Sequence, residues 1–522
     1  MRLLENRVME KFFFKRKHIL LIVALALSIA CVRSCLSIRF NSQVQERVAC
    51  SSVTEFIQAY QSNKQLTLDF GHILEELNLF VATQAQRMSK VDNWLNGVMP
   101  QEHWFNSNLS TLSIDYKSSN QFFPYVEKHI FPDDVRIAVW GDLHGSVSTV
   151  VESLLQLQRD GYLDEHFIIT HKNFYFLFLG DFVDKESRGI ELLYLLMKLH
   201  NQNPGHVFLL RGNHEDAAVN KTFRKELSKK YSDLDDETLK KIFCLYDHLS
   251  VALFGGIRDA RGRVNGIQFC HAGFEHGYNA RTFLQSNAHY ELITELKRVS
   301  LVEQLPDGQS KEQLIALQEL IQQACSRRDK KFEKYLLNQA QMEQRIINGY
   351  NWFTIQMLTW FYKQDIIDAL PTLSQDIAIK PSMNLGDIRL GFSWNSFTDQ
   401  ENNRRLGGRD DLHVLWSYAH FNMGPEATQY FLQLNSTDAW KLRMVVRGHQ
   451  HQGKMLEDLQ QGKGAALWFD GQLLTTVASP LLTGYASFVI FHGACDKAGW
   501  YIERYAAKPG SSFRKEQRYL FT

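Results

Sequence analysis

Five short apolar runs in this chain each stop on a polar turn that carries glycine, and this repeated punctuation constrains the fold more than any other feature. Residues 135–140 run into Gly141-Asp142, 174–179 into Gly180-Asp181, 207–210 into Arg211-Gly212-Asn213, 267–270 into His271, and 442–446 into Arg447-Gly448-His449. Short runs of β-branched, aromatic and aliphatic residues bounded in this way predict buried strands. Helix-like stretches at 147–158 and 187–200 lie between the first three, the second with Ile190, Leu193, Tyr194 and Met197 on one face. Strands alternating with helices imply βαβ units around a largely buried sheet, so the expected fold class is α/β. Ligands of such sheets bind beyond the carboxyl ends of the strands, where these polar residues fall.

The strand-end residues are Asp142, His144, Asp181, Asn213, His271 and His449. They offer only oxygen and nitrogen donors and no thiol, a set that suits a hard-to-borderline divalent pair such as Mn²⁺, Fe²⁺ or Zn²⁺. A single Asp after a strand is ordinarily a helix cap, and a single His ordinarily a packed residue. Six such residues in glycine-bearing turns are far harder to produce by accident, because glycine is what permits tight turns and close approach of backbone to a ligand. Arg211 and Arg447 read as turn-packing residues, and His276 and His451 as bystanders.

Taken in order, GDLHG (141–145), GDFVDK (180–185), RGNHE (211–215), HAG (271–273) and RGHQ (447–450) resemble the phosphoprotein phosphatase family of dinuclear metallophosphoesterases. GFSWNS (391–396) is similar to that family's short Trp-containing segment. The resemblance covers about 135–285 and 386–505. It implies a calcineurin-like fold, a central β-sandwich flanked by helices, with added helical elements here. It further implies two divalent ions: Asp142 and His144 on the first, Asp181 bridging both, and Asn213, His271 and His449 on the second. His214 would be the general acid, with Asp184 holding and charging its imidazole. Lys185 stands where the family has an arginine on the phosphate, and the other phosphate arginine has no clear counterpart, Arg409 being the candidate in reach. An arginine fork grips two oxygens and a lysine only one point, so the phosphate clamp departs from the family pattern.

The function implied is hydrolysis of phosphate monoesters on protein side chains by a hydroxide activated between two metals, with serine/threonine and tyrosine both open. A diadenosine-polyphosphate-type phosphoesterase is an alternative, since related enzymes share the GDxHG and GNHE turns. A catalytically idle scaffold acting through its insertion is a third reading, set against a complete ligand set.

Outside the motifs the chain is divided as follows. Residues 1–17 are basic (Arg2, Arg7, Lys11, Lys15, Arg16, Lys17), and 18–34 form a hydrophobic segment like a signal or anchor. Its uninterrupted core, 19–32, would rise about 21 Å as a helix, short of a hydrocarbon core of about 30 Å. Membrane association or export through 18–34 is expected, with cleavage, spanning and packing on the protein all open. The layout resembles phosphatase effectors that bacterial pathogens deliver to host cells. Residues 51–133 read as a helical extension, with 51–98 helical and 100–133 a wrapping segment. The catalytic domain is expected at 134–505, interrupted by a helical insertion at 285–385 that offers a protein-partner surface, and 506–522 as a tail.

Lys and Arg number 58 and Asp and Glu 57, a net charge of +1 over 522 residues, so no nucleic-acid partner is expected. Hydrophobic residues make up 44%, which excludes long disorder and multi-span membrane architecture. The seven cysteines are irregularly spaced with no CxxC pair, so buried thiols are expected, not a disulfide or zinc scaffold.

Overall fold

The computed structural model describes residues 47–63, 66–100, 124–216, 219–275, 278–293, 295–296, 377–378, 393, 396–397, 412–415, 420–494 and 499–520. Two short parallel strands, Arg47–Val48 and Thr67–Leu68, belong to a small unit of their own (1–49 with 65–69). Everything below concerns the larger unit.

Its strands, in chain order, are β1 (Tyr125–Phe131), β2 (Arg136–Trp140), β3 (Phe174–Phe178), β4 (Val207–Leu209), β5 (Ala252–Arg258), β6 (Val264–Cys270) and β7 (Tyr290–Leu292). They continue as β8 (Trp440–Arg447), β9 (Ala465–Trp468), β10 (Leu473–Thr476), β11 (Ala486–Ala494), β12 (Gly499–Ala507) and β13 (Arg514–Leu520). A seven-stranded sheet runs β9-β10-β8-β6-β5-β1-β7 and a six-stranded sheet β13-β12-β11-β2-β3-β4. Strands β2, β3 and β4 are mutually parallel, as are β6, β8 and β10. The five motif-bearing strands therefore fall in two parallel triplets, one per sheet.

The two sheets face each other across one apolar layer. Ile137 and Val139 of β2, Tyr175 and Leu177 of β3, Ile267 and Phe269 of β6, and Met444 and Val446 of β8 share that layer. Side chains alternate along a strand, so Trp140 turns to the opposite face. There it stacks on Phe178 at 4.6 Å and Phe488 at 5.3 Å between ring centroids, and its indole N–H donates to Ser153 Oγ at 3.2 Å. Ser153 belongs to a helix over that sheet, Val147–Arg159. On the outer face of the other sheet, Phe254, Leu442 and Val445 pack with Phe431 of helix Pro425–Leu434 and with Met455 and Leu459 of helix Gly453–Gln461. Each such side chain, fully buried, contributes about 1.5–3 kcal/mol. Because both faces are covered, β3 reads as a continuous apolar run, FYFLF, with every residue buried.

The expected helix over 51–98 is two helices, α1 (Val53–Ser62) and α2 (Phe70–Met88), followed by two short 3-10 turns. Ser52 caps α1 by accepting from Glu55 N at 3.2 Å. Both lie on a central helix, α4 (Gly189–Gln202), where α3 denotes Val147–Arg159. Glu76 of α2 reaches Lys198 at 2.5 Å and Asn201 at 2.5 Å; the Phe80 ring meets His200 at 4.6 Å, edge to face; Phe56 of α1 meets Tyr194 at 6.1 Å. Thus α4 is covered on two sides, which explains why its sequence, GIELLYLLMKLHNQ, is apolar around nearly its whole circumference.

Three expected boundaries move. Strand β1 joins the sheet before residue 134, pairing parallel with β5. Strand β13 extends the other sheet beyond 505 by pairing with β12, so 514–520 is no loose tail. The insertion starts later than 285: Tyr290–Leu292 is an edge strand on β1, and Glu295–Leu296 pairs antiparallel with Ile377–Ala378. The remainder of the expected helical insertion lies outside the described residues, as do the basic flank 1–17, the hydrophobic segment 18–34 and Arg409. Among the described residues no helix is long and apolar enough to cross a membrane. Cys50, Cys244 and Cys270 are buried free thiols.

The His200–Phe80 contact gives a testable acid sensitivity. His200 is 1% exposed, its Nε2 has no hydrogen-bond partner, and burial depresses its pKa to about 4. The folded chain keeps it neutral while the unfolded chain takes up a proton below about 6.5. Its penalty is therefore absent above that value and grows as pH falls toward 4. Relative to His200→Leu, which cannot titrate, wild-type stability should drop by on the order of 2 kcal/mol between pH 7 and pH 5, read by urea unfolding at both values. A difference that does not change with pH contradicts this.

Candidate metal centre

All six strand-end donors converge. Asp142 lies two residues past β2, its backbone bridged to Val477 beyond β10. Its carboxylate is fully buried: Oδ1 accepts from the His449 N–H at 2.7 Å, and Oδ2 has no hydrogen-bond partner. His144 Nδ1 lies 2.8 Å from the Val183 carbonyl. A carbonyl can only accept, so Nδ1 carries the proton and Nε2 turns its lone pair inward. That atom sits 3.5 Å from Asp181 Oδ2 and 3.9 Å from Asp142 Oδ2. His271 repeats the device, with Nδ1 at 3.1 Å from the Leu179 carbonyl and Nε2 at 2.9 Å from Asn213 Oδ1 and 3.2 Å from Asp181 Oδ1. His449 Nδ1 completes the group at 3.0 Å from Asn213 Oδ1 and 3.2 Å from His271 Nε2.

The backbone is bent to make this possible. His144, Asp181, Asp184, Lys185 and His449 all take positive φ (47°, 55°, 67°, 63° and 67°), a region non-glycine residues avoid at a cost of about 1–3 kcal/mol each. At Gly448 and Gly212 closeness alone requires glycine. A Cβ on Gly448 would stand 2.1 Å from Asp142 Oδ1, and one on Gly212 would stand 2.3 Å from Asp181 Oδ1.

The acceptors outnumber the protons available to them. Burial would push Asp181 up, but His271, His214 and His144 hold its carboxylate well below the usual range. Burial likewise works against the His271 imidazolium, yet Asp181 raises it. His144 goes the other way, to about 4, because burial outweighs its carboxylate neighbours and Lys185 adds to the effect. Buried lone pairs and carboxylate oxygens facing one another need positive charge between them. The unpartnered Asp142 Oδ2 and the inward Nε2 atoms of His144 and His271 thus fit divalent cations, and a thiol-free donor set suits hard-to-borderline ions. Carboxylate and imidazole atoms of Asp142, Asp181 and His271, and of His144, Asp181 and His214, lie within 4.8 Å of one another.

Beside this nest, His214 Nδ1 donates to Asp184 Oδ2 at 2.6 Å, and Asp184 Oδ1 accepts from Phe223 N at 2.7 Å. Burial opposes a charge on His214, but Asp181 and Asp184 raise it to about 9. Its Nε2 side remains part-exposed, 4.0 Å from Asp181 Oδ2. Lys185, at the rim, places Nζ 2.7 Å from both His144 Nε2 and His451 Nε2.

Two site residues escaped the sequence reading. Glu215 is fully buried and accepts three backbone N–H groups, from Asp181 at 2.6 Å, Phe182 at 2.9 Å and Gly212 at 2.9 Å, so it ties two motif turns together. Its position beside His214 in RGNHE was the available signal. His451 was read as a bystander and instead lies 4.0 Å from Asp142 Oδ2. Arg211 and Arg447 are packing residues as read: Arg211 donates to the Tyr246 carbonyl at 2.8 Å, and Arg447 lies over the Phe397 ring at 4.6 Å.

Comparison with known proteins gives the following similarities. The family described as calcineurin-like phosphoesterase matches residues 135–333. Serine/threonine-protein phosphatase rdgC of Drosophila melanogaster is 38% identical over 104 residues, 18% of this chain and 13% of that one. A chain of Encephalitozoon cuniculi named "Probable serine/threonine-protein phosphatase" is 27% identical over 143 residues, 25% of this chain and 29% of that one. The chain thus matches well under half the length of either relative. Among solved structures, a Saccharomyces cerevisiae serine/threonine phosphatase with similarity to human PP5 overlays with TM-score 0.41 at 16% identity, covering 83% of this chain and 87% of that one. A cold-active protein-tyrosine phosphatase of a Shewanella psychrophile overlays with TM-score 0.34 at 12% identity, covering 76% and 83%. With the matched segment, the two-sheet sandwich and the converging strand ends in view, residues 135–333 of this chain are similar to the calcineurin-like phosphoesterase family, and the thiol-free donor set fits divalent metals.

Proposed function

We propose that the chain is a metal-dependent phosphoprotein phosphatase that hydrolyses phosphate monoesters on protein side chains. The observation that carries this is the nest of inward lone pairs from Asp142, His144, Asp181, Asn213, His271 and His449, set beside a carboxylate-charged imidazole, His214. Asp142 and His144 would hold one ion, Asn213, His271 and His449 the other, and Asp181 both. Bound divalent ions supply a lowered water pKa and neutralisation of phosphoryl charge.

The rest of the work falls to the chain. As the water oxygen bonds to phosphorus, the ester P–O bond breaks and its oxygen needs a proton. His214 holds one on Nε2, and Asp184 keeps it there. A serine or threonine alkoxide depends on that proton more than a tyrosine phenoxide, whose conjugate acid has a pKa of about 10. The named serine/threonine phosphatases among its relatives point the same way, and we assign that preference. Lys185 would be the cation that meets a phosphate oxygen at the rim.

The test is a matched panel of phosphoserine, phosphothreonine and phosphotyrosine peptides offered to the full chain, before and after chelation. Phosphate release should require added Mn²⁺, Fe²⁺ or Zn²⁺ and should be fastest on the alkyl esters. Full turnover in excess chelator, or hydrolysis confined to dinucleoside polyphosphates, overturns the reading.

A further inference from the structure

We propose that Tyr246 is a positioning residue for the His214–Asp184 pair, because its hydroxyl holds the Asn220 side chain away from a backbone N–H that Asp184 needs. This rests on the phosphatase reading above.

That N–H belongs to Phe223, in the first turn of the helix Lys221–Lys230. The N–H groups of a first turn have no partner inside their own helix. Asparagine at the cap ordinarily satisfies one of them, its side-chain oxygen accepting from the second or third N–H. Asn220 stands at this cap and makes no such bond. Its Oδ1 is buried without a hydrogen-bond partner, while its Nδ2 donates to the Tyr246 hydroxyl at 2.8 Å. The Asn220 backbone, at φ −76° and ψ 58°, is correspondingly short of the extended form in which a cap closes on its helix. Phe223 N, the third N–H of the helix, is left for Asp184 Oδ1 at 2.7 Å. The other oxygen of that carboxylate accepts from His214 Nδ1 at 2.6 Å. Two acceptors thus compete for one N–H: the Asn220 amide from the helix's own cap, and the Asp184 carboxylate from the GDFVDK turn.

Tyr246 is itself firmly held. It is 1% exposed, and its carbonyl accepts from Arg211 Nη1 at 2.8 Å. Its ring lies 5.6 Å from that of Phe243, which meets the Phe223 ring edge to face at 6.0 Å. The phenol can pair with either end of the amide, donating to an oxygen or accepting from a nitrogen, so the tether survives a turn of the Asn220 side chain about its own axis. A buried amide with no partner at either atom is costly. Removing the phenolic hydroxyl would therefore turn Asn220 onto the nearest donor, the first turn of its own helix. Asp184 would then lose the N–H that orients it, and His214 would lose the alignment of its Nε2 proton with the departing ester oxygen.

Two measurements on Tyr246→Phe in the full chain test this. In a crystal structure of the chelator-stripped variant, Asn220 Oδ1 should lie within hydrogen-bond distance of Phe223 N, with Asp184 Oδ1 withdrawn from it. With added Mn²⁺, kcat on a phosphoserine peptide should fall by about 5–20-fold at unchanged KM, a part of the about 10²–10⁴-fold that a positioned proton donor supplies, and the loss should shrink on aryl phosphates. Adding Asn220→Ala, which removes the competing amide, should return most of the loss, whereas damage to the fold would deepen it. An Asn220 amide that keeps its place in Tyr246→Phe overturns the competition, and so does a double variant no faster than Tyr246→Phe alone. Unchanged turnover, or an equal loss on alkyl and aryl esters, overturns the positioning role. A wild-type chain that releases no phosphate from any peptide overturns the phosphatase reading, a distinct result that leaves the crystallographic comparison to decide the competition.

Discussion

Asp181→Asn is expected to reduce bound metal from close to two ions per chain to one or fewer and to lower phosphopeptide turnover by at least on the order of 10³-fold. The substitution is nearly isosteric, so its effect is electrostatic. Asp181 offers Oδ1 to His271 at 3.2 Å and Oδ2 to His144 at 3.5 Å, and also accepts from the His214 N–H at 3.0 Å. The amide carries no charge and turns two hydrogens toward atoms that need an anion or a cation. Glu215 cannot replace it, because its oxygens are committed to the N–H groups of Asp181, Phe182 and Gly212. Metal analysis and phosphate release on one preparation decide the matter. A folded Asp181→Asn chain with two ions and wild-type turnover would remove Asp181 from the shared position.

His214→Asn is expected to lose about 10²–10⁴-fold on phosphoserine peptides while keeping its metal. The loss should shrink on aryl phosphates, whose leaving groups depart with less help from a proton. That dependence separates a proton donor from a residue that only packs. His214 reaches Asp184 at 2.6 Å, and Asp184 is itself pinned by Phe223 N at 2.7 Å. Cations held by Asp181 would oppose the charge on His214, leaving Asp184 as the carboxylate that preserves it. Asp184→Asn should accordingly show the same leaving-group pattern. An equal loss across alkyl and aryl esters would assign His214 to binding instead.

The half of the chain that builds the candidate metal centre was legible because strand ends, glycine turns and donor residues coincide in sequence. Asp142, Asp181, Asn213, His271 and His449 each follow a run that had to be a buried strand, and convergence follows from placing those strands in parallel triplets. What stayed hidden depends on distant partners. Residues 187–200 looked one-sided by periodicity, but α4 is buried on two faces because α1 and α2 cover it, and no local pattern tells one coat from two. Strand β13, RKEQRYL, is too polar to announce itself, and it exists because β12 offers an edge. His451 was indistinguishable from a surface histidine until Asp142 and Lys185 were seen to face it.

The bond between the His449 N–H and Asp142 spans 307 residues of sequence. Synthesis proceeds at about 5–20 residues per second, so His449 follows Asp142 from the ribosome by roughly 15–60 s. Throughout that interval the nascent chain holds a half-built centre whose carboxylates lack the last imidazole. Closure of the centre is therefore a late event in the life of each molecule, reached only after the C-terminal strands dock, and a chain released early by a premature stop codon carries the earlier motifs without the complete donor set.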